Sequence, residues 1–495
     1  MRTTRTVAVT SLGLALGALL LAGCTASAPD YVEVYTTTGT KSALLARQTD
    51  LPVSSEPGDG DVDVTVDRDQ QLQQIDGFGA AMTHSSATVL MAQSAEIRQQ
   101  ILEQLFSPTE GAGFSMLRVP IGTSDYAGLV DGVAEHYTLD DMPEGETDPG
   151  LEHFSIANDE AALIPALQQA LAVNPELSII ASPWSAPAWM KTTESLYSGS
   201  LIEGDEDVYA DYLVRFVEEY HEQGIDIDYL TIANEPLLAS RSYPVMEMGE
   251  YQELAVIQAL GPKLEAAGFG DVGVLAYDFN FGDSTSSIAT SYIDTILGDA
   301  DAAQYTAGVA FHGYETEGID VFGQGFQYVA DNYPDKKALV TEIAEGTWSR
   351  DFASNLSYAL ANIVLGPLNY SSTGALYWNA VLYDDGTPDL GGAGTSLGVI
   401  SVSEDGGGYS KSSAYYAMAQ ISRFLGTEDG GRARLVYSES SSPEVYAAAI
   451  QRPDGRLAIV VVNTSASFAD SVNVVVGDSS FTTDIPAQSV STFLY

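Results

Sequence analysis

Between Gly77 and Asn379 the chain repeats one pattern eight times, a short apolar run followed by a longer stretch that carries the chain back. The runs are Gly77–Ala81, Ser115–Ile121, Leu177–Pro183, Tyr229–Glu235, Val272–Tyr277, Gly308–Tyr314, Ala338–Glu342 and Ala375–Asn379. Each is too short for a surface helix and suits a strand buried on both faces. Among the stretches between them, Asp207–Glu222 puts Val208, Tyr212, Phe216 and Tyr220 on one helical face, with Gly224 as a stop. Tyr251–Ala267 reads as a helix ended by Gly268, and Gly261-Pro262 inside it predicts a kink or a break. Strands separated by helices pair in parallel, because each helix returns the chain to the starting edge. Eight such units predict an α/β protein built on a (β/α)8 TIM barrel. A doubly wound open sheet is the alternative. No Gly-x-Gly-x-x-Gly follows an early strand, which weakens its nucleotide-binding form.

Both ends of the chain have a different texture. Val32–Tyr35 alternates, and Asp61–Asp67 alternates more cleanly, with Val62, Val64 and Val66 inward and Asp61, Asp63 and Asp67 in water. A calcium loop is the sharper reading of those aspartates, but its glycine and closing glutamate are not at the required spacing. Ser412–Leu425 reads as a last helix. Beyond it come Glu444–Ile450, Leu457–Asn463, Ser471–Val476 and Ser489–Leu494, divided by turns such as Arg452-Pro-Asp-Gly455. Two β ends predict one side β-sandwich built from N- and C-terminal strands. The expected divisions are residues 1–23 as a signal peptide and 24–75 as a tether with the first sandwich strands. Residues 76–415 would form the barrel, and 416–495 the C-terminal sandwich.

The balance of 20 basic to 68 acidic residues gives a formal charge of −48. Nucleic acid and anionic membrane surfaces are poor partners for such a chain, since both require positive charge. Arg2 and Arg5 precede a mostly apolar, small-residue run from Val7 to Ala22, the pattern of an export signal that is removed. The run closes on Leu21-Ala-Gly-Cys24, which resembles a bacterial lipobox and implies lipid on the Cys24 sulfur. The expected location is the outer face of the cell membrane, with the lipid as the membrane contact, or else simple secretion. Cys24 is the single cysteine, so no internal disulfide and no thiolate metal cluster can form.

Polar and aromatic residues gather at the C-terminal ends of the eight runs. Arg118 and Asp125 belong to the second, Trp184 and Trp189 to the third, Asn234 and Glu235 to the fourth. His312 and Tyr314 close the sixth, Glu342 the seventh, and Trp378 with Asn379 the eighth. In a barrel these ends meet at one mouth. Two glutamates there suit glycoside hydrolysis, one protonating the leaving oxygen and the other attacking the sugar carbon. Tryptophans suit sugar faces. Plainer readings stand beside these. Trp184 and Trp189 also suit packing, His312 a satisfied core position, Arg118 a buried partner for a carboxylate, and Asp125 a turn cap. No second histidine lies near His312 at metal-ligand spacing.

Seven segments together carry a resemblance. They are Gln74-Ile-Asp-Gly-Phe-Gly-Ala-Ala-Met-Thr83, Leu117-Arg-Val-Pro-Ile-Gly-Thr-Ser-Asp-Tyr126, Ala181-Ser-Pro-Trp-Ser-Ala-Pro-Ala-Trp-Met-Lys191, Thr231-Ile-Ala-Asn-Glu-Pro236, Phe311-His-Gly-Tyr314, Val340-Thr-Glu342 and Tyr377-Trp-Asn379. In this order they resemble glycoside hydrolase family 30, the glucosylceramidase-like retaining β-glycosidases. The resemblance implies Glu235 as general acid/base, Glu342 as nucleophile, and Asn234 on the sugar 2-hydroxyl. It implies Asp125, Trp184, Tyr314, Trp378 and Asn379 around the non-reducing sugar, with His312 bracing nearby groups. It implies a covalent glycosyl-enzyme, no metal and no other cofactor. A retaining mechanism sets the two carboxyl groups about 5–5.5 Å apart, against roughly 6.5–9.5 Å for inversion.

The sequence departs from the family pattern at His84, where an acidic residue is common, and at Gly313, where a tryptophan is common. The loop Asp384–Leu390 also differs in detail. The leading expectation is an exo-acting β-glucosidase of glucosylceramidase type, taking a carbohydrate or glycolipid substrate. An endo-β-1,6-glucanase or a xylan-directed enzyme of the same family is the alternative within the class. A sugar-binding lipoprotein without catalysis is the alternative outside it.

Overall fold

The computed structural model describes residues 28–495 apart from 57, 131, 315–317, 347, 393, 395, 405, 428–429 and 467–469. The signal segment and Cys24 lie outside the described residues. Among the described residues eight parallel strands close a barrel. In chain order they are β1 (Gly77–Ala81), β2 (Met116–Ile121), β3 (Ser178–Pro183), β4 (Tyr229–Thr231), β5 (Gly273–Asn280), β6 (Thr306–His312), β7 (Lys337–Ile343) and β8 (Gly374–Tyr377). Each pairs with its sequence neighbour, and β8 returns to β1 through Gly374↔Gly77 and Tyr377↔Ala80. The open-sheet alternative is thereby excluded. Met116, Ile180, Leu275, Ala310, Leu339 and Leu376 meet on the barrel axis, all fully buried. A larger apolar layer lies between strands and helices. The strands are thus apolar on both faces, which is why their sequences are unbroken apolar runs rather than alternating ones.

Three local expectations are corrected. The sequence predicts the fourth strand over Tyr229–Glu235, but it ends at Thr231, and Glu235 takes a left-handed backbone with φ 48°. Instead of continuing the ladder, Asn234 N–H donates to the Pro183 carbonyl at 2.8 Å and Glu235 N–H to the Asp278 carbonyl at 3.0 Å. On the helix Glu206–Glu222 the fully buried face begins with Tyr209, followed by Tyr212, Phe216 and Tyr220, and Val208 is only half-buried. The helix Glu250–Ala267 runs through Pro262 without breaking. Pro262 removes one backbone donor, while Ile257, Leu260 and Leu264 bury the surrounding turns, and packing of that size outweighs one hydrogen bond. Gly268 ends this helix as anticipated, with φ 94°.

The two chain ends form the side sandwich. Tyr31–Thr38 pairs antiparallel with Ser489–Leu494, and Val62–Gln74 lies between Arg434–Ser440 and Asp470–Val476. Val62, Val64 and Val66 face a core with Val34, Ile459, Val461, Val474 and Phe493, while Asp61, Asp63 and Asp67 are exposed. Among the described residues no helix is long and apolar enough to cross a membrane. The axial cluster makes a direct test of the barrel centre. Leu339→Ala should cost about 2–5 kcal/mol, read as a lower urea midpoint with an unchanged slope. An unmoved midpoint would mean that the axis is not packed as described.

Candidate active site

The C-terminal ends of the barrel strands converge on one fully buried cation. Arg118, on β2, has no exposed surface. Its guanidinium donates to Glu342 Oε2 on β7, to Asn234 Oδ1 at 2.7 Å after β4, to Asp278 Oδ2 at 2.8 Å on β5, and to Ser182 Oγ at 3.2 Å on β3. Trp184 and Trp378 cover it, with ring centroids 4.9 and 5.7 Å from Cζ. The two indoles stack on each other, 5.2 Å apart at 24°. The arginine is a buried carboxylate partner, and the tryptophan is packed while it walls the site.

Asp278 is the second hub, and the sequence reading missed it. Besides Arg118 it accepts Ser182 Oγ at 2.9 Å, Thr231 Oγ1 at 2.8 Å, Thr341 Oγ1 at 2.7 Å and His312 Nε2 at 3.1 Å. Burial alone would raise its pKa. The Arg118 and His312 charges, with the hydrogen bonds from His312 and Thr341, reverse this and hold it well below the usual carboxylate range. Burial would likewise lower the His312 pKa. The Glu342 charge, the Asp278 hydrogen bond and charge, and the Glu235 hydrogen bond instead push it up to about 9. His312 is therefore an imidazolium at neutral pH, donating from Nδ1 to Glu235 Oε1 at 3.2 Å and from Nε2 to Asp278. One signal was available in the sequence. The fifth apolar run, Val272–Tyr277, is followed directly by Asp278.

Glu235 and Glu342 face each other beside this histidine. One oxygen of each carboxylate and one ring nitrogen of His312 lie within 4.8 Å of one another. Such a trio could suggest a metal site. It does not fit one, because both ring nitrogens face carboxylate oxygens and carry the protons that bridge them, leaving no lone pair for a metal. Burial raises the Glu342 pKa, against the opposing pull of His312 and Arg118. Asp125 joins the same wall, and its pKa is raised well above the aspartate range by burial and by the Glu342, Glu235 and Asp389 charges. Tyr314 is also raised, by burial and by Glu342, Glu235 and Asp125, and its N–H is fixed by Asn280 Oδ1 at 3.1 Å. Glu235, Glu342, Asp125, Asn234, Trp184, Trp378, His312 and Tyr314 are thus brought together at one mouth.

The family model for the glycosyl hydrolase family 30 TIM-barrel domain matches residues 75–425, and that for the family 30 β-sandwich domain matches residues 433–493. The chain belongs to glycoside hydrolase family 30. It is a glycosidase that hydrolyses glycosidic bonds, with a carbohydrate as its substrate. An endo-1,6-β-D-glucanase of Aspergillus fumigatus is 32% identical over 449 residues, covering 85% of each chain. A putative glucosylceramidase of Caenorhabditis elegans is 30% identical over 464 residues, covering 90% of this chain and 84% of its own. A solved endo-β1,6-glucanase superposes with a TM-score of 0.84 at 28% identity, over 94% of this chain and 99% of its own.

Other residues of this family 30 chain lie behind the mouth. Asn379 is fully buried, and its amide oxygen accepts the Thr83 hydroxyl at 2.7 Å. Its amide nitrogen has no hydrogen-bond partner among the described residues. Trp189 is half-buried and donates Nε1–H to the Asp140 carbonyl at 3.0 Å. His84 points away into a buried cluster, bonding Asp159 Oδ1 at 2.9 Å, and Tyr137 and Tyr220 donate to the same carboxylate.

The imidazolium yields a prediction with a definite sign. A folded-state pKa near 9, above the ordinary 6.5, contributes stability that is complete below about pH 6.5 and lost as pH rises through about 9. The difference in unfolding free energy between the parent and His312→Asn should therefore shrink across that window. In the 13C-labelled parent one of the five histidines should titrate near 9 and vanish in the variant. Five histidines all titrating at or below 7 would remove the imidazolium.

Proposed function

We propose that this enzyme is a retaining β-glucoside hydrolase, with Glu342 as nucleophile and Glu235 as acid/base, acting on β-1,6-linked glucan. The observation that carries the mechanism is that one oxygen of Glu235 and one of Glu342 lie within 4.8 Å of each other. Inversion needs a water between carboxyl groups roughly 6.5–9.5 Å apart, whereas retention needs direct attack across about 5–5.5 Å. Arg118 is always charged and bonds Glu342 directly, so the attacking carboxylate is ionised and fixed in orientation.

In the first step Glu342 attacks the anomeric carbon, the bond to the leaving oxygen breaks, and Glu235 gives its proton to that oxygen. In the second step Glu235 takes a proton from water, the water oxygen attacks the same carbon, and the ester to Glu342 breaks. Arg118 occupies the Asn234 oxygen, so the amide NH2 is the end available to the sugar 2-hydroxyl. The stacked Trp184 and Trp378 supply the apolar floor.

The choice of β-1,6-glucan is supported by the fungal relative, by the solved endo-β1,6-glucanase, and by the chain's own charge. At −48, the surface is repelled by the anionic lipids around a membrane glycolipid, whereas a neutral glucan carries no such barrier. The glucosylceramidase reading, and with it a role in sphingolipid metabolism, is supported by the nematode relative. We further propose that the chain is exported and held by a lipid on Cys24, on the strength of Arg2, Arg5, the apolar run and Leu21-Ala-Gly-Cys24.

Glu342→Gln should abolish turnover. Glu235→Gln should keep activity on 2,4-dinitrophenyl β-glucoside, whose leaving group needs no proton, and lose about 10²–10⁴-fold on unactivated glucosides. Proton NMR of the first-formed sugar should show the β-anomer. Release of gentio-oligosaccharides from β-1,6-glucan, without comparable cleavage of glucosylceramide, supports the substrate. The reverse result moves the assignment to the glycolipid. Cys24→Ser should shift the enzyme from the membrane fraction to the medium, and an unchanged distribution would remove the anchor.

A further inference from the structure

The helix Glu250–Ala267 buries Val256, Ile257, Leu260 and Leu264 against the barrel, and Glu253 stands on that face, only 1% exposed. A carboxylate at such a position is costly unless donors meet it. Two do. Tyr292 O–H donates to Oε2 at 2.6 Å, and the backbone N–H of Tyr277 donates to Oε1 at 3.1 Å. Tyr277 is where β5 leaves regular geometry. Its φ is 79° and that of Asp278 is 45°, two consecutive non-glycine residues in the left-handed region. The pairing of β5 with β6 slips at this point, from Tyr277↔Ala310 to Phe279↔Phe311, so Asp278 is the inserted residue of a bulge. On the other side the ladder with β4 has already ended at Thr231↔Leu275. The backbone here is strained for non-glycine residues and needs a fixed partner to persist. The carbonyl that the bulge turns outward, that of Asp278, accepts the N–H of Glu235 at 3.0 Å.

We propose that Glu253 is a positioning residue for Glu235, holding the Tyr277–Asp278 bulge so that the Asp278 carbonyl fixes the left-handed backbone of the acid/base. The inference rests on the reading of Glu235 as proton donor. The Asp278 side chain has its own anchors in Arg118, Ser182, Thr231, Thr341 and His312. Losing Glu253 therefore moves the backbone end of Asp278 more than its carboxylate, and Glu235 more than Glu342. The defect should fall on protonation of the leaving group and spare nucleophilic attack.

A leaving-group series reads this directly. For Glu253→Leu, kcat/KM on methyl β-glucoside or gentiobiose should fall by about tenfold or more, with less than about a threefold change on 2,4-dinitrophenyl β-glucoside. Glu253→Gln keeps an acceptor for Tyr277 and should restore both substrates to near the parent. Equal losses on both substrates, or no rescue by Gln, would overturn the proposal. Tyr292→Phe removes the other bond to Glu253 by a milder change and covers a Leu variant that fails to fold. It should show the same leaving-group-dependent loss, smaller in size, and an equal loss on both substrates counts against the proposal. Glu235→Gln run alongside separates the two ideas, because no leaving-group dependence there sinks the reading of Glu235 itself.

Discussion

The buried guanidinium of Arg118 is the contact around which the mouth is arranged. An arginine without exposed surface is tolerable only when its donors are met and its charge balanced. Here the two terminal nitrogens are met from β3, from β5, from the segment after β4 and from β7, while Nε–H has no partner among the described residues, so one side chain fixes the relative positions of four barrel elements. Five donors in a rigid planar fork suit this, and a lysine could not reach the same groups in fixed directions. The tryptophans that cover it shield the charge from water and so strengthen each bond it makes.

Irregular backbone then does what regular strands cannot. A parallel strand alternates its side chains between axis and helix layer, so it presents few of them to the mouth. Glu235 and Asp278 both escape this alternation by taking positive φ at the strand ends, and each stabilises the other, one through its N–H and the other through its carbonyl. Strain of this kind persists where the surroundings over-determine it. Five polar groups on the Asp278 carboxylate are such surroundings.

What was legible in the sequence follows the same division. The eight strand runs could be read because burial on both faces removes every polar residue but the last few. The valines at 62, 64 and 66 could be read because one face meets water. Arg434–Ser440 escaped notice because Leu435 and Val436 are its only fully buried side chains among seven residues. Asp278 escaped because an aspartate after an apolar run normally marks the end of a strand. Its role depends on groups from five other strands of the barrel that no local pattern connects. The motif around Asn379 could not show that its amide oxygen accepts the Thr83 hydroxyl, because that contact joins residues 296 positions apart.

Charge balance ties these features to the chemistry. Arg118 and His312 supply two positive charges against Asp278 and Glu342, and that core is neutral while Glu342 is free. In the proposed mechanism, forming the glycosyl ester on Glu342 removes its charge and leaves the core with one positive charge in excess. In a dry site this excess acts strongly on whatever lies nearest, and Glu235 lies within hydrogen-bond reach of His312. As the proposed acid/base, Glu235 gives up its proton in that same step, and the carboxylate it becomes supplies the missing negative charge. When water later displaces the ester, Glu342 regains its charge as Glu235 recovers a proton. The two proposed half-reactions thus pass one negative charge back and forth between carboxylates whose nearer oxygens lie within 4.8 Å, beside a fixed pair of cations that neither carboxylate has to rearrange.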